Sequence, residues 1–105
     1  MRKVVPRVEA ARDIEAAVAY YIAEGGLKLG LRFVDEIETA FDFLIAHAAS
    51  GSPRYASLLD LPGLRSWPLS HFPYLIFYHV DAQVIDVWRV LHSQRDIPTS
   101  LQQDD

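Results

Sequence analysis

A paired glycine, Gly25-Gly26, separates two stretches patterned for helix, and this restricts the fold more than any other feature of the chain. Ahead of it Ile14, Val18, Tyr21 and Ile22 recur at helical spacing. Asp13 and Glu15 stand on the early turns, where the helix dipole favours anions. Behind the glycines Leu27, Phe33 or Val34, Ile37, Phe41, Leu44 and Ile45 form an apolar stripe, and Arg32, Asp35, Glu36, Glu38 and Asp42 take much of the remaining surface. Glycine accepts the left-handed conformation that ends a helix. Two helices joined by so short a turn run roughly antiparallel, as an αα-hairpin. The second is expected to end between His47 and Gly51, before Ser52-Pro53.

The flanks read as strand. Lys3 to Val8 carries β-branched residues around Pro6, which suits an edge strand because proline cannot donate to a ladder. Arg54 to Pro62 reads as a loop with a short apolar insert. Three strands follow, Leu64 to Leu69, Tyr74 to Val80 and Val84 to Leu91, the last two joined by a very short hairpin turn. Alternation puts Leu75, Phe77 and His79 on one face, and Tyr74, Ile76, Tyr78 and Val80 on the other. On the last strand it groups Ile85, Val87, Arg89 and Leu91 against Asp86, Trp88, Val90 and His92. Apolar residues on both faces mean that one face is core and the other is covered by a partner or by the chain's own tail. Residues 97–105 are polar and are expected to be a frayed tail, leaving a single domain over 1–96.

Composition bounds the function. The 105 residues suit one domain, half of them are hydrophobic, and no cysteine is present for disulfides or thiolate metal sites. No apolar run reaches the roughly 18 residues of a membrane span, and the start lacks a signal-peptide pattern, so a cytoplasmic protein without a membrane partner is expected. The net charge of −4 disfavours a general phosphate-backbone binder, so any nucleic-acid contact must be a local patch.

One such patch is available. Arg65, Arg89, His92 and Arg95 bring three cations and a proton carrier to the sheet half of the chain. Cations stabilise a phosphorane and histidine moves protons near neutral pH, the layout of a metal-independent ribonuclease. The structural alternative has these arginines paired with Asp86, Asp96 or a C-terminal carbonyl, with His92 merely ending a strand. His71, His79 and His92 show no metal-ligand spacing, so neither metal nor cofactor is expected. His47 near a helix end suits the dipole. The aromatics Trp67, Phe72, Tyr74, Phe77, Tyr78 and Trp88 read as core or partner surface in preference to a base-stacking platform.

Three blocks carry a resemblance: Leu61-Pro62-Gly63-Leu64-Arg65, Tyr74-Leu75-Ile76-Phe77-Tyr78, and Val87-Trp88-Arg89-Val90-Leu91-His92-Ser93-Gln94-Arg95-Asp96. Together with the order strand, two helices, three strands, they resemble the RelE/ParE superfamily of small bacterial toxins, the ParE branch most closely. The resemblance implies an α+β fold, β-α-α-β-β-β, with an N-terminal strand, an antiparallel helical hairpin and a three-stranded antiparallel sheet. It implies the toxin of a type II toxin–antitoxin pair, of the kind tied to plasmid stabilisation and growth arrest, held in a hetero-oligomer by its cognate antitoxin. The ParE branch implies poisoning of DNA gyrase by binding, with no reaction performed by the toxin. The alternative is a RelE-like endonuclease cutting mRNA on the ribosome, and a member that has lost its target is a third reading. Nuclease members keep a glutamate base or a C-terminal tyrosine, whereas here no glutamate follows Glu38 and no tyrosine follows Tyr78. Only Asp86 and His92 remain as base candidates on the last strand. Arg65, Arg89, His92 and Arg95 are therefore the candidates for toxicity or target binding, and for catalysis in the alternative reading. Tyr74, Phe77, Tyr78 and Trp88 are the candidates for antitoxin contact or core.

Overall fold

A computed structural model describes residues 2–95 and 97–102. Strand β1, Lys3–Pro6, leads into helix α1, Val8–Gly25, and helix α2, Leu27–Ala46. A 3-10 turn at Ala48–Ser50 and a short helix α3, Arg54–Leu59, precede strands β2, Arg65–Pro68, β3, Tyr74–Val80, and β4, Val84–His92. Helix α4, Ile97–Gln102, closes the described chain. The fold is α+β: a helical hairpin on a four-stranded sheet in the order β1-β4-β3-β2.

The hairpin turns where the glycine pair stands. Gly26 has φ 86° and ψ 176°, a region open in practice only to glycine, and its N–H caps the Ile22 carbonyl. The buried stripe of α2 is Gly30, Phe33, Ile37, Ala40 and Leu44. Leu27, expected in that stripe, is 63% exposed. Gly30 takes its place because a Cβ there would run into Ile22 of α1, so only glycine lets the helices approach so closely. The segment expected to be loop after Ser52 contains α3, which ends at Asp60 in the left-handed region.

The sheet differs from a three-stranded antiparallel one by its fourth strand. β1 pairs with β4 in parallel, Lys3 opposite Val84 and Pro6 opposite Val87, while β3 runs antiparallel to both neighbours. A second departure lies within β4. Phe77 pairs with Arg89 but Tyr78 pairs with Val87, so Trp88 is an extra residue in a β-bulge. The expected alternation fails there. Ile85, Val87 and Val90 all belong to the core under the helices, and Leu91 belongs to the opposite face. β3 has no inserted residue, and its alternation is as expected: Tyr74, Ile76, Tyr78 and Val80 pack toward the helices, Leu75 and Phe77 away.

Each face has its own core. Under the hairpin lie Phe33, Ile37, Leu44, Ile76, Tyr78, Ile85 and Val87. Tyr21, Phe33, Phe72 and Tyr74 meet there with ring centroids 4.8 to 6.2 Å apart. On the far face Leu64, Phe77 and Leu91 pack with Ile97 and Leu101 of α4, and with Tyr55 and Leu59 of α3. The stretch expected to fray is thus a helix over 97–102 whose two apolar residues are buried. Asp96 and residues 103–105 lie outside the described residues. No helix among the described residues is long and apolar enough to cross a membrane.

Candidate functional site

Pro6 ends β1, so the edge of β4 beyond Val87 has no strand beside it. Helix α1 supplies the missing acceptor: Val90 N–H donates to Asp13 Oδ2 at 3.0 Å. Arg89 closes on the same carboxylate, Nε to Oδ2 at 2.7 Å and Nη2 to Oδ1 at 2.9 Å. Its Nη1 donates to the Ser100 carbonyl of α4 at 3.1 Å. The two side chains are only 15% and 11% exposed. Arg89 therefore joins three elements and is largely spent on structure, with a C-terminal carbonyl as one partner and Asp13, unforeseen in the sequence, as the other.

His92 ends β4 opposite Tyr74, their rings edge to face at 5.2 Å. Its Nδ1 accepts the Gln94 N–H at 3.0 Å, so the neutral ring carries its proton on Nε2. Arg95 N–H donates to the His92 carbonyl at 3.0 Å, closing a turn that leaves the Arg95 side chain exposed. His92, Arg95, Tyr74, Tyr20 and Asp13 line a cleft of about 200 Å³, with Ala16, Ala17 and Val90 as the small apolar members of its lining. Burial holds the Tyr74 phenol above its ordinary value, Tyr20 adds to this, and Arg95 opposes it.

Arg65 lies elsewhere. It pairs with Tyr78 on β3, whereas His92 pairs with Tyr74. That offset of four residues is about 14 Å at roughly 3.4 Å per residue. Its Nη1 donates to Ala49 and Gly51 carbonyls at 3.0 and 2.7 Å, tying down the 3-10 turn beside an open hollow of about 520 Å³ shared with Arg2 and His47. Asp86, a base candidate, is held by Arg7 at 2.9 and 3.1 Å and by the Trp88 indole N–H at 3.2 Å. Of the four cationic candidates, then, His92 and Arg95 share a cleft, Arg89 is locked behind it, and Arg65 is remote.

Phe77 and Tyr78, candidates for antitoxin contact or core, are fully buried and belong to the two cores. Tyr78 donates to the Ala48 carbonyl at 2.8 Å and accepts the Gly51 N–H at 3.0 Å. Trp88 is half-buried, between Arg7 at 4.6 Å and the His79 ring at 4.7 Å. The histidines are dispersed: His71 pairs with Glu36, His79 stacks on Trp88, and His92 stands at the cleft. Among the described residues no three His, Asp or Glu side chains converge as metal ligands. Sequence reasoning missed Tyr20, Asp13 and the alanines between them. The available signal was their spacing, since Asp13, Ala16 or Ala17, and Tyr20 fall on one helix face.

A hairpin of helices over a sheet whose first and last strands run parallel defines the class, a small α+β domain. A family profile described as "ParE toxin of type II toxin-antitoxin system, parDE" matches residues 4–97, and the chain belongs to that family. A solved structure titled "Chromosomal ParDE TA system from P. aeruginosa" is similar, with TM-score 0.72 and 23% identity over 88% of this chain and 96% of that one. Among curated proteins nothing matches.

Proposed function

We propose that the protein is the toxin of a type II pair, neutralised by a cognate antitoxin, and that it acts on DNA gyrase by binding rather than by cutting RNA. Family membership supports the toxin and its antitoxin. The observation that carries the choice of binding over cleavage is the dispersal of the cations. Arg89 is committed to Asp13 and Ser100, and Arg65 stands about 14 Å along β3 from the His92 position. A phosphorane needs its cations on one phosphate. The test is plasmid supercoiling by gyrase with the purified toxin. Inhibition with accumulating linear plasmid is expected, and no effect on the cognate gyrase sinks the proposal.

One contact favours the ribosome-dependent nuclease as second reading. Tyr74 stands against His92, so a tyrosine–histidine pair exists although no tyrosine follows Tyr78 in the chain. Under that reading His92→Ala abolishes toxicity while antitoxin binding persists. A gyrase poison tolerates that change better.

A further inference from the structure

We propose that the cleft between α1 and the ends of β3 and β4 is a carboxylate-binding site, filled in the complex by one acidic side chain of the antitoxin. The proposal rests on the toxin–antitoxin reading above and adds the chemistry by which the partner is recognised.

The polar rim of the cleft consists of donors. Tyr20 and Tyr74 bring phenols, His92 presents Nε2–H, and Arg95 brings a guanidinium. Burial keeps the Tyr74 phenol protonated well above neutral pH, so it remains a donor there. The one carboxylate in the lining, Asp13, already accepts from Arg89 twice and from Val90 N–H, and its charge is matched by Arg89. It neither competes for the rim donors nor repels an incoming anion strongly. A site with donors and a cation, and its only acid neutralised, selects an anion.

Size and charge choose among anions. About 200 Å³ suits one side chain, whose methylenes would lie against Ala16 and Ala17. A nucleotide with base, sugar and phosphate needs more room. The chain carries a net charge of −4, which weakens any polyanion but costs a single carboxylate little. Tyr20 is 55% exposed beside the opening, and exposed tyrosine with arginine is the composition of a protein–protein anchor point.

The experiment measures the dissociation constant of the purified toxin with the purified antitoxin encoded beside it. Arg95→Glu is expected to weaken binding at least tenfold, and Tyr20→Phe with Tyr74→Phe severalfold. Arg54→Glu, a charge change on α3 away from the cleft, should leave affinity unchanged. Thermal melts of each variant show whether it has folded. Scanning the antitoxin's Asp and Glu residues to Lys should reveal one position that restores binding to Arg95→Glu. Arg95→Glu within twofold of wild type overturns the site. Wild-type toxin that does not bind the antitoxin at all overturns the toxin–antitoxin reading, and the site with it. Two further results also overturn it: a thymidine oligonucleotide that binds through Arg95, or loss of gyrase inhibition in Arg95→Glu with antitoxin affinity intact.

Discussion

Tyr78 shows how much structure one residue can hold. Its ring is enclosed in the hairpin core, and its hydroxyl satisfies two backbone groups of the segment that follows α2. Gly51 must be glycine, because a Cβ would fall inside van der Waals contact of that hydroxyl. Tyr78→Phe strands a buried N–H and a buried carbonyl, so urea unfolding should show a loss of about 1–3 kcal/mol. Glu36 makes a pH-dependent contact. Burial raises its carboxyl pKa, but the His71 imidazole, the His71 N–H and the Ser70 N–H outweigh that and hold it below the ordinary 4.5. A depressed carboxyl stabilises the fold above its unfolded value, and the gain is lost as pH falls through the folded one. Wild type should therefore lose stability below pH 4.5 more steeply than Glu36→Gln, as read from melting temperature against pH. Equal slopes would remove Glu36 from the account.

At the scale of elements, legibility followed the strength of local pattern. The hairpin was legible because Gly25-Gly26 interrupts two long periodic stretches, and β3 because its seven residues alternate without interruption. β4 misled because a bulge at Trp88 changes phase without leaving a sequence mark, which moved Val90 and Leu91 to faces opposite those expected. α4 was missed because six residues offer only Ile97 and Leu101 as a stripe, and Pro98 suggested a break although proline is tolerated in a first turn. Its value is tertiary. Leu101→Ala should cost about 2–5 kcal/mol if the helix closes the far face as described. A change under 0.5 kcal/mol in denaturant melts would mean that α4 stays undocked in solution.

For the whole molecule, the Asp13–Arg89 pair is the tie between layers. It joins the helical hairpin to β4, and through Ser100 to the helix on the far face. The site was poorly legible for the same reason: the pair spans 76 residues, and no local pattern announces it. Arg89→Ala leaves Asp13 buried and unpaired, which should cost about 3 kcal/mol or more. Arg89→Met with Asp13→Leu should cost less than Arg89→Met alone, and calorimetric melts of wild type, the two single variants and the double variant would give the coupling.

The parallel pairing of β1 with β4 also has a consequence in time. Lys3 waits for Val84 before β1 has any neighbour in the sheet, so the first strand synthesised is among the last to be placed. At roughly 5–20 residues per second, translation leaves on the order of ten seconds in which the sheet has no centre. β1 can take its place in the sheet only once β4, made about eighty residues later, has left the ribosome.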